Sequence, residues 1–282
     1  MVYEIQTYPD PKKLAEGQRD LLLREEVTNA LMLGLIDAAP PADEGTLALA
    51  ITLNNNIVGC AYRSCGAQPL ILTPMPKNAT VFLAGHMQST LPPLKGVTGP
   101  EKTIKAFNKE WEAITETPPK TAMNLGVYTS AKKLSPPPVP GKALVAGGRH
   151  QEQLEVLFQG FVEDAFPEEN DIPTKARQLA EKHIHNNTAL MWLDEAGTPV
   201  AVAVKQRQTP NTATISAVYT HQDHRGNGYG KAVVSALNNM LLGQGYKKCV
   251  LMADLDNPIT PDFYKKLGYT LREKMPRYIL KE

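Results

Sequence analysis

The sequence has little net charge and no long apolar run, and each shortage excludes a class of protein. Lysine and arginine number 30 against 29 aspartates and glutamates, so the formal net charge is +1. This balance argues against a protein that binds nucleic acid or a membrane surface through bulk charge. No apolar run approaches the roughly 20 residues that a membrane-spanning helix needs. We therefore expect a small-molecule function, with no nucleic-acid partner and no membrane partner.

Cysteine is also scarce, because only Cys60, Cys65 and Cys249 are present. Their number is odd, and none belongs to a Cys-x-x-Cys pair with histidines at zinc spacing. His183 and His185 lie two residues apart on a predicted helix, point in different directions and make a poor metal pair. The N-terminal Met-Val-Tyr-Glu-Ile-Gln lacks the basic and apolar regions of a signal peptide. We expect free thiols, no metal and a cytoplasmic location.

The chain is long enough for two domains, and one segment is typical of a linker between them. Ser135-Pro-Pro-Pro-Val-Pro140 favours an extended polyproline conformation and is unsuited to the middle of a sheet. We therefore divide the chain into a domain at 1–130, a linker at 131–141 and a domain at 142–282.

Hydrophobic periodicity and turn residues predict the elements of both halves. In the first half they predict helices in 11–37, a hairpin of 46–52 and 57–62 around Asn54-Asn55-Asn56, a strand at 70–73, a strand or short helix at 79–91 ended by Pro92 and Pro93, and a helix at 101–116. In the second half they predict strands at 143–146, 189–193, 199–205, 213–219 and 248–253, helices at 151–166, 173–187 and 260–267, and two strands in 269–280 interrupted near Pro276.

The stretch from Ile215 to Lys231 carries the strongest chemical signal. A β-branched strand passes through a polar turn into Gly226, Gly228 and Gly230, and an apolar-periodic helix follows. Alternating glycines let successive N–H groups face one point, and a helix N-terminus adds unpaired donors and partial positive charge. This arrangement predicts an anion site of the kind that holds phosphate.

Two common glycine motifs do not fit this loop. A Walker loop would need glycine at Arg225 and serine or threonine at Ala232, and the dinucleotide fingerprint would need its last glycine at Lys231. The loop instead resembles the Arg/Gln-x-x-Gly-x-Gly/Ala signature of the GCN5-related N-acetyltransferases (GNAT). Asp254-Leu-Asp-Asn-Pro258 and Phe263-Tyr-Lys-Lys-Leu-Gly-Tyr269 are similar to later segments of that family. The closest resemblance is to a branch of predicted acetyltransferases that includes glycine N-acyltransferase-like proteins.

The resemblance implies an α/β (α+β) fold with a mixed, splayed sheet flanked by helices, and it implies a site for acetyl-CoA. It assigns Tyr264 as the general acid that protonates the departing thiolate, although the same tyrosine could simply pack on the closing helix. It assigns CoA contacts to Val218, Tyr219, Thr220, Arg225, Gly226, Asn227, Gly228, Tyr229, Gly230, Lys231 and Asn257. Asn257 could instead only cap the following helix, and Glu163 and Asp164 could face the acceptor or only solvent.

The first half resembles a degenerate copy of the same domain, with Leu94-Lys-Gly-Val-Thr-Gly-Pro100 as the counterpart of the glycine loop. An unrelated α+β domain remains the alternative. The leading function is transfer of an acetyl group from acetyl-CoA to a primary amine on a small molecule or peptide, by a monomer or homodimer. The alternatives are a non-catalytic acyl-CoA sensor or scaffold, and an N-acyltransferase that uses a larger acyl group.

One further stretch, Leu154-Glu-Val-Leu-Phe-Gln-Gly160, matches the start of a viral protease site. Because it lies on a predicted amphipathic helix, we assign it no function.

Overall fold

The computed structural model describes residues 2–89 and 93–280, which form two compact units. The first consists of the described parts of Met1–Tyr128, Met252–Asp262 and Thr270–Glu282, and the second of Thr129–Leu251 and Phe263–Tyr269. Two short C-terminal segments therefore belong to the first unit, whereas the division predicted from the sequence assigned all of 142–282 to one domain.

The helices and strands follow the apolar spacing of the sequence closely. The elements of the first half are β1 (Tyr3–Thr7), α1 (Pro11–Gly17), α2 (Arg19–Arg24), α3 (Glu26–Asp37), β2 (Leu47–Leu53), β3 (Asn56–Arg63), β4 (Leu70–Leu72), α4 (Lys77–Met87), β5 (Gly96–Thr98), α5 (Glu101–Thr115) and β6 (Lys120–Ser130). Those of the second half are β7 (Lys142–Val145), α6 (Gln151–Ala165), α7 (Ile172–His185), β8 (Ala189–Leu193), β9 (Pro199–Gln208), β10 (Thr212–Thr220), α8 (Tyr229–Gly243), β11 (Lys248–Asp254), α9 (Thr260–Leu267) and β12 (Thr270–Ile279).

Both halves repeat one order of elements: a strand, two or three helices, three strands, a helix, a strand, a helix and a strand. In the first unit the neighbouring strands are β1-β2-β3-β4-β5, and in the second they are β7-β8-β9-β10-β11. In each series the first three pairs are antiparallel, and the last pair, β4 with β5 or β10 with β11, is parallel. The mixed α/β fold expected from the sequence is confirmed.

This repeat corrects the predicted position of the first half's loop. The element after β10 is α8, so its counterpart after β4 is α4, and the connecting segment is Thr73-Pro-Met-Pro76. The predicted counterpart at 94–100 was wrong, because it contains strand β5, which pairs parallel to β4 as β11 pairs to β10. The true counterpart has no glycine and carries two prolines, which have no N–H to offer an anion.

Two other predictions change in detail. Residues 79–91 were assigned as a strand or short helix, and the structure shows helix α4 ending at Met87, with Pro92 outside the described residues. Residues 269–280 were assigned as two strands, but β12 is continuous. Its pairing with β5 covers only Arg277–Ile279, so Pro276 lies just beyond the ladder and its missing N–H breaks no bond there.

The proline-rich segment is attached to the second unit. The side chain of Asn239 on α8 accepts from the Leu134 N–H at 2.7 Å and donates to the Leu134 carbonyl at 2.8 Å. The Trp192 indole N–H donates to the carbonyl of Pro140 at 3.0 Å. These bonds fix the segment at both ends, so Ser135–Pro140 runs along the second unit in one defined position.

The core of the second unit lies between its sheet and helices α6 and α7. Leu154, Leu157 and Phe158 are fully buried in this core together with Met191 and Val202. The stretch that matches a viral protease site therefore supplies core side chains of α6.

Candidate active site

Strand β10 carries a bulge near its end. Ser216 lies opposite Val204 and Tyr219 lies opposite Val202, so Ala217 and Val218 together face one residue of β9. Ala217 has a φ of 45°, which is uncommon for a residue with a side chain. Such a bulge bends the strand and leaves one residue's backbone groups out of the ladder. The ladder between β9 and β10 is therefore interrupted at Ala217 and Val218.

The glycine loop follows directly and leads into helix α8. Gly226 has a φ of 82°, and Gly228, which caps α8, has a φ of 87°. Both values lie in the left-handed region that glycine enters without cost. The first N–H groups of a helix have no partner within it, so the start of α8 presents donors and partial positive charge.

The space around each glycine shows a different reason for its presence. A Cβ at Gly226 would meet nothing within 4 Å, so this glycine faces open space. A Cβ at Gly228 would lie 2.9 Å from a methyl group of Val139 in the proline-rich segment. One at Gly230 would lie 2.9 Å from the Thr220 hydroxyl at the end of β10. Gly226 therefore leaves room for a ligand, whereas the other two allow close packing.

Arg225 binds to neighbours on β10 and α6. Its Nη2 donates to Asp164 Oδ2 at 2.6 Å, and its Nε donates to the Thr220 carbonyl at 3.1 Å. Its guanidinium carbon lies 5.3 Å from the centre of the Tyr219 ring. Lost solvation lowers the pKa of Arg225, but the Asp164 carboxylate and the Tyr219 phenol outweigh it and raise the pKa overall. Asp164 thus pairs with the loop, and both it and the neighbouring Glu163 are exposed to solvent.

Tyr264 lies on α9 in an apolar setting. Its side chain is buried, and its ring meets those of Phe263 and Tyr269 edge to face at 5.0 Å and 6.0 Å. Burial raises the pKa of Tyr264 well above that of a free phenol, so the hydroxyl stays protonated at neutral pH. A neutral phenol is the form that a proton donor requires.

The other predicted site residues are placed as follows. Asn257 Oδ1 accepts the N–H groups of Ile259 at 2.9 Å and Thr260 at 3.2 Å, which is the geometry of a cap on α9. Asn227 Nδ2 donates to the His224 carbonyl at 3.3 Å within the loop turn. Tyr229 is buried at the start of α8, and Lys231 is half-buried in the first turn of the helix.

Within 2–89 and 93–280, no group of three or more histidine, cysteine, aspartate or glutamate side chains is arranged to hold a metal ion. In that part of the chain no helix is long and apolar enough to cross a membrane.

Residues 154–269, which contain the bulge, the loop and Tyr264, match the model of the Acetyltransferase (GNAT) family. The whole chain is similar to a GNAT acetyltransferase of Colwellia psychrerythraea, at 15% identity and a TM-score of 0.60 over 99% of this chain and 100% of that one. The fold is that of the GNAT acetyltransferases.

Two further structures share the GNAT fold along the whole chain. A GCN5-related N-acetyltransferase of Sphaerobacter thermophilus has 13% identity and a TM-score of 0.61, over 99% of this chain and 95% of that one. A tandem GNAT protein of the clavulanic acid biosynthesis pathway has 12% identity and a TM-score of 0.56, over 99% and 98%. No curated protein matches the chain significantly. At these identities the likeness shows the fold alone.

Sequence reasoning missed three residues that shape this site. Ala217 reads as an ordinary strand residue, and nothing in its neighbours signals a positive φ. Gly160 reads as a helix interior glycine, although its lack of a side chain admits the Tyr219 ring. Asp164 was left open between acceptor and solvent, because its partner Arg225 is 61 residues away.

Proposed function

We propose that this chain is an N-acetyltransferase that transfers the acetyl group of acetyl-CoA to a primary amine on a small molecule or peptide. The observation that carries the proposal is the continuity of two features: the bulge at Ala217–Val218 and the glycine loop at the start of α8. The loop and the start of α8 offer N–H donors for a pyrophosphate. The bulge, near the end of the preceding strand β10, offers N–H donors for the arm that carries the thioester.

The transfer proceeds directly between the two substrates. The free amine attacks the thioester carbonyl carbon, a backbone N–H near Val218 stabilises the developing oxyanion, and the carbon–sulfur bond breaks. Tyr264 gives its proton to the departing thiolate, and the amine loses its extra proton to solvent. The raised pKa of Tyr264 keeps its hydroxyl protonated, although it makes this phenol a weaker acid than a solvent-exposed tyrosine.

The chain uses one such site, in its second half. The first half has the same order of elements, but the segment between β4 and α4 holds Pro74 and Pro76 in place of glycines. We therefore expect one CoA per chain, with the first half serving a structural or acceptor-binding role. The glycine N-acyltransferase-like branch, a cytoplasmic location and a monomeric or dimeric state remain part of this proposal.

Thiol release tests the proposal directly. The full chain is mixed with acetyl-CoA and a panel of amines that spans amino acids, aminosugars, polyamines and lysine peptides, and free thiol is followed with time. Amine-dependent release of one thiol for each amide formed supports the transferase. Binding of acetyl-CoA with no release for any amine favours the non-catalytic sensor, and release only with longer acyl-CoAs favours a larger acyl group.

A further inference from the structure

Two cations flank the glycines, Arg225 before α8 and Lys231 in its first turn, and they have different surroundings. Arg225 uses its Nε on the Thr220 carbonyl and one Nη on Asp164, and one face of its guanidinium lies over Tyr219. Lys231 has no ion-pair partner among the residues that the structure describes. Both side chains keep part of their surface in solvent, so the difference lies in their partners.

Two residues of helix α6 determine the surroundings of Arg225. Gly160 and Asp164 are four residues apart and therefore lie on one face of the helix. The hydroxyl end of Tyr219 fills the place of a side chain at Gly160, and the carboxylate of Asp164 reaches Arg225 one turn later. Tyr219 is buried, so the aromatic ring fixes the position of the guanidinium above it.

The ion pair with Asp164 already engages the cation of Arg225. The 2.6 Å bond between Arg225 and Asp164 is a charge-assisted bond of the stronger kind. The two side chains are 50% and 54% exposed, so the pair adds little to overall stability. Its effect is local, because it joins the residue that begins the glycine loop to the helix that packs against β10.

We propose that Arg225 is a positioning residue, which together with Asp164 and Tyr219 holds the start of the glycine loop and the bulged end of β10 in register, and that Lys231 is the side-chain cation that meets the pyrophosphate. The inference rests on the proposed function, since it divides the roles of residues in that site. It goes further by assigning Asp164 to the site and by removing Arg225 from direct phosphate contact.

Calorimetric titration with two ligands separates the two roles. CoA carries the phosphates, and pantetheine carries only the arm that runs along β10. We expect Lys231→Gln to weaken CoA about tenfold and to change pantetheine by less than about twofold, because it removes one phosphate contact. We expect Arg225→Gln and Asp164→Asn each to weaken both ligands by the same factor of about three to five, with no further loss in the double variant.

Two substitutions that keep the charge test whether the charge or the geometry of each side chain matters. Arg225→Lys retains a cation but loses the planar fork and the stacking on Tyr219, so it should weaken both ligands as Arg225→Gln does. Asp164→Glu retains the carboxylate and should recover most of the loss. Glu163→Gln on α6 and Lys248→Gln on β11 are matched controls that should bind like the wild type, and melting temperatures check the fold of every variant.

Three outcomes would overturn the inference. One is a loss in Arg225→Gln that affects CoA but not pantetheine, and another is normal CoA affinity in Arg225→Lys. The third is tighter CoA binding by Asp164→Asn, which would show a carboxylate that competes with phosphate for the arginine. A wild-type chain that binds no CoA would overturn the proposed function itself, and the inference with it.

Discussion

The phenol ring of Tyr219 occupies the space that a side chain at position 160 would need. A Cβ built on Gly160 falls against the Tyr219 hydroxyl and its ring carbon, far closer than real Cβ contacts come. Tyr219 follows the bulge on β10 directly, and Gly160 lies in the middle of α6. The shape of the candidate site therefore depends on the absence of a side chain on a neighbouring helix.

Because of this contact, we expect alanine at position 160 to have the opposite effect on stability from alanine at most glycines within helices. Replacing a glycine in a helix interior by alanine usually stabilises a protein by about 1 kcal/mol. We expect Gly160→Ala to destabilise the chain by about 1–3 kcal/mol instead, because the added methyl displaces the Tyr219 ring. Urea unfolding measures the change, and Gly85→Ala is the control, since its Cβ would meet only Ile114 at 4.0 Å. A stabilised Gly160→Ala variant would contradict the contact.

The bulge on β10 makes a second prediction. Because Ala217 has a positive φ, Ala217→Gly should change the free energy of unfolding by less than about 1 kcal/mol and keep CoA affinity. Ala217→Val should cost more than about 2 kcal/mol and lose CoA affinity, because a β-branched residue resists this φ. Ala203→Val, buried on β9 without a positive φ, measures the cost of overpacking alone. Equal tolerance of valine at both positions would argue against the bulge.

His183 predicts how stability depends on pH. Burial, with a smaller contribution from the charge of Lys182, lowers the pKa of His183 to about 4. Its Nδ1 lies 2.7 Å from the Thr188 hydroxyl, and its ring meets Phe158 at 5.8 Å. The folded state therefore favours the neutral ring, while the unfolded chain binds a proton near pH 6.5.

The sign follows from this difference in proton uptake. The contribution of His183 is fully present above about pH 6.5 and is lost as the pH falls towards 4, by up to about 3 kcal/mol. Urea unfolding at pH 7.5 and pH 5 measures it. The exposed His185→Gln variant should keep this dependence, and His183→Gln should reduce it. An unchanged pH dependence in His183→Gln would contradict the assignment.

Substitutions at Tyr264 and Tyr269 distinguish a catalytic role from a structural one. We expect Tyr264→Phe to bind acetyl-CoA within about twofold of the wild type and to slow thiol release by about 100-fold or more, since the general acid is removed. Tyr269 donates a buried hydrogen bond to Asn238 Oδ1 at 2.9 Å. Tyr269→Phe should therefore lose about 1 kcal/mol of stability and retain its turnover. Loss of CoA binding in Tyr264→Phe would assign that tyrosine a structural role.

Most of the fold was predictable because its elements follow apolar periodicity. The helices at 101–116, 151–166 and 173–187 have one apolar face, and the hairpin at Asn54–Asn55 has the positive φ values that asparagine tolerates. Strands β1 and β6 were not predicted. β6 begins with the exposed residues of Lys120–Met123, so its first half lacks a buried alternation.

The candidate site was predictable from sequence only where its residues are adjacent in the chain. The glycine loop and α8 are adjacent in sequence, and their chemistry can be inferred from spacing alone. The pairing of Arg225 with Asp164, and the fit of Tyr219 over Gly160, join residues about 60 positions apart. Such contacts depend on the packing of α6 against β10, which no local pattern encodes. The counterpart of the loop in the first half was misplaced for a related reason, since glycine spacing was followed rather than element order.

The most direct test of the account is calorimetric titration of the full chain with acetyl-CoA, beside the Gly228→Glu variant. We predict that one acetyl-CoA binds per chain and that Gly228→Glu does not bind, because the glutamate needs a φ of 87°, meets Val139 and brings negative charge to the start of α8. The same variant must unfold cooperatively in urea, so that loss of binding is not loss of fold. Two sites per chain, or undiminished binding by the folded variant, would contradict the account.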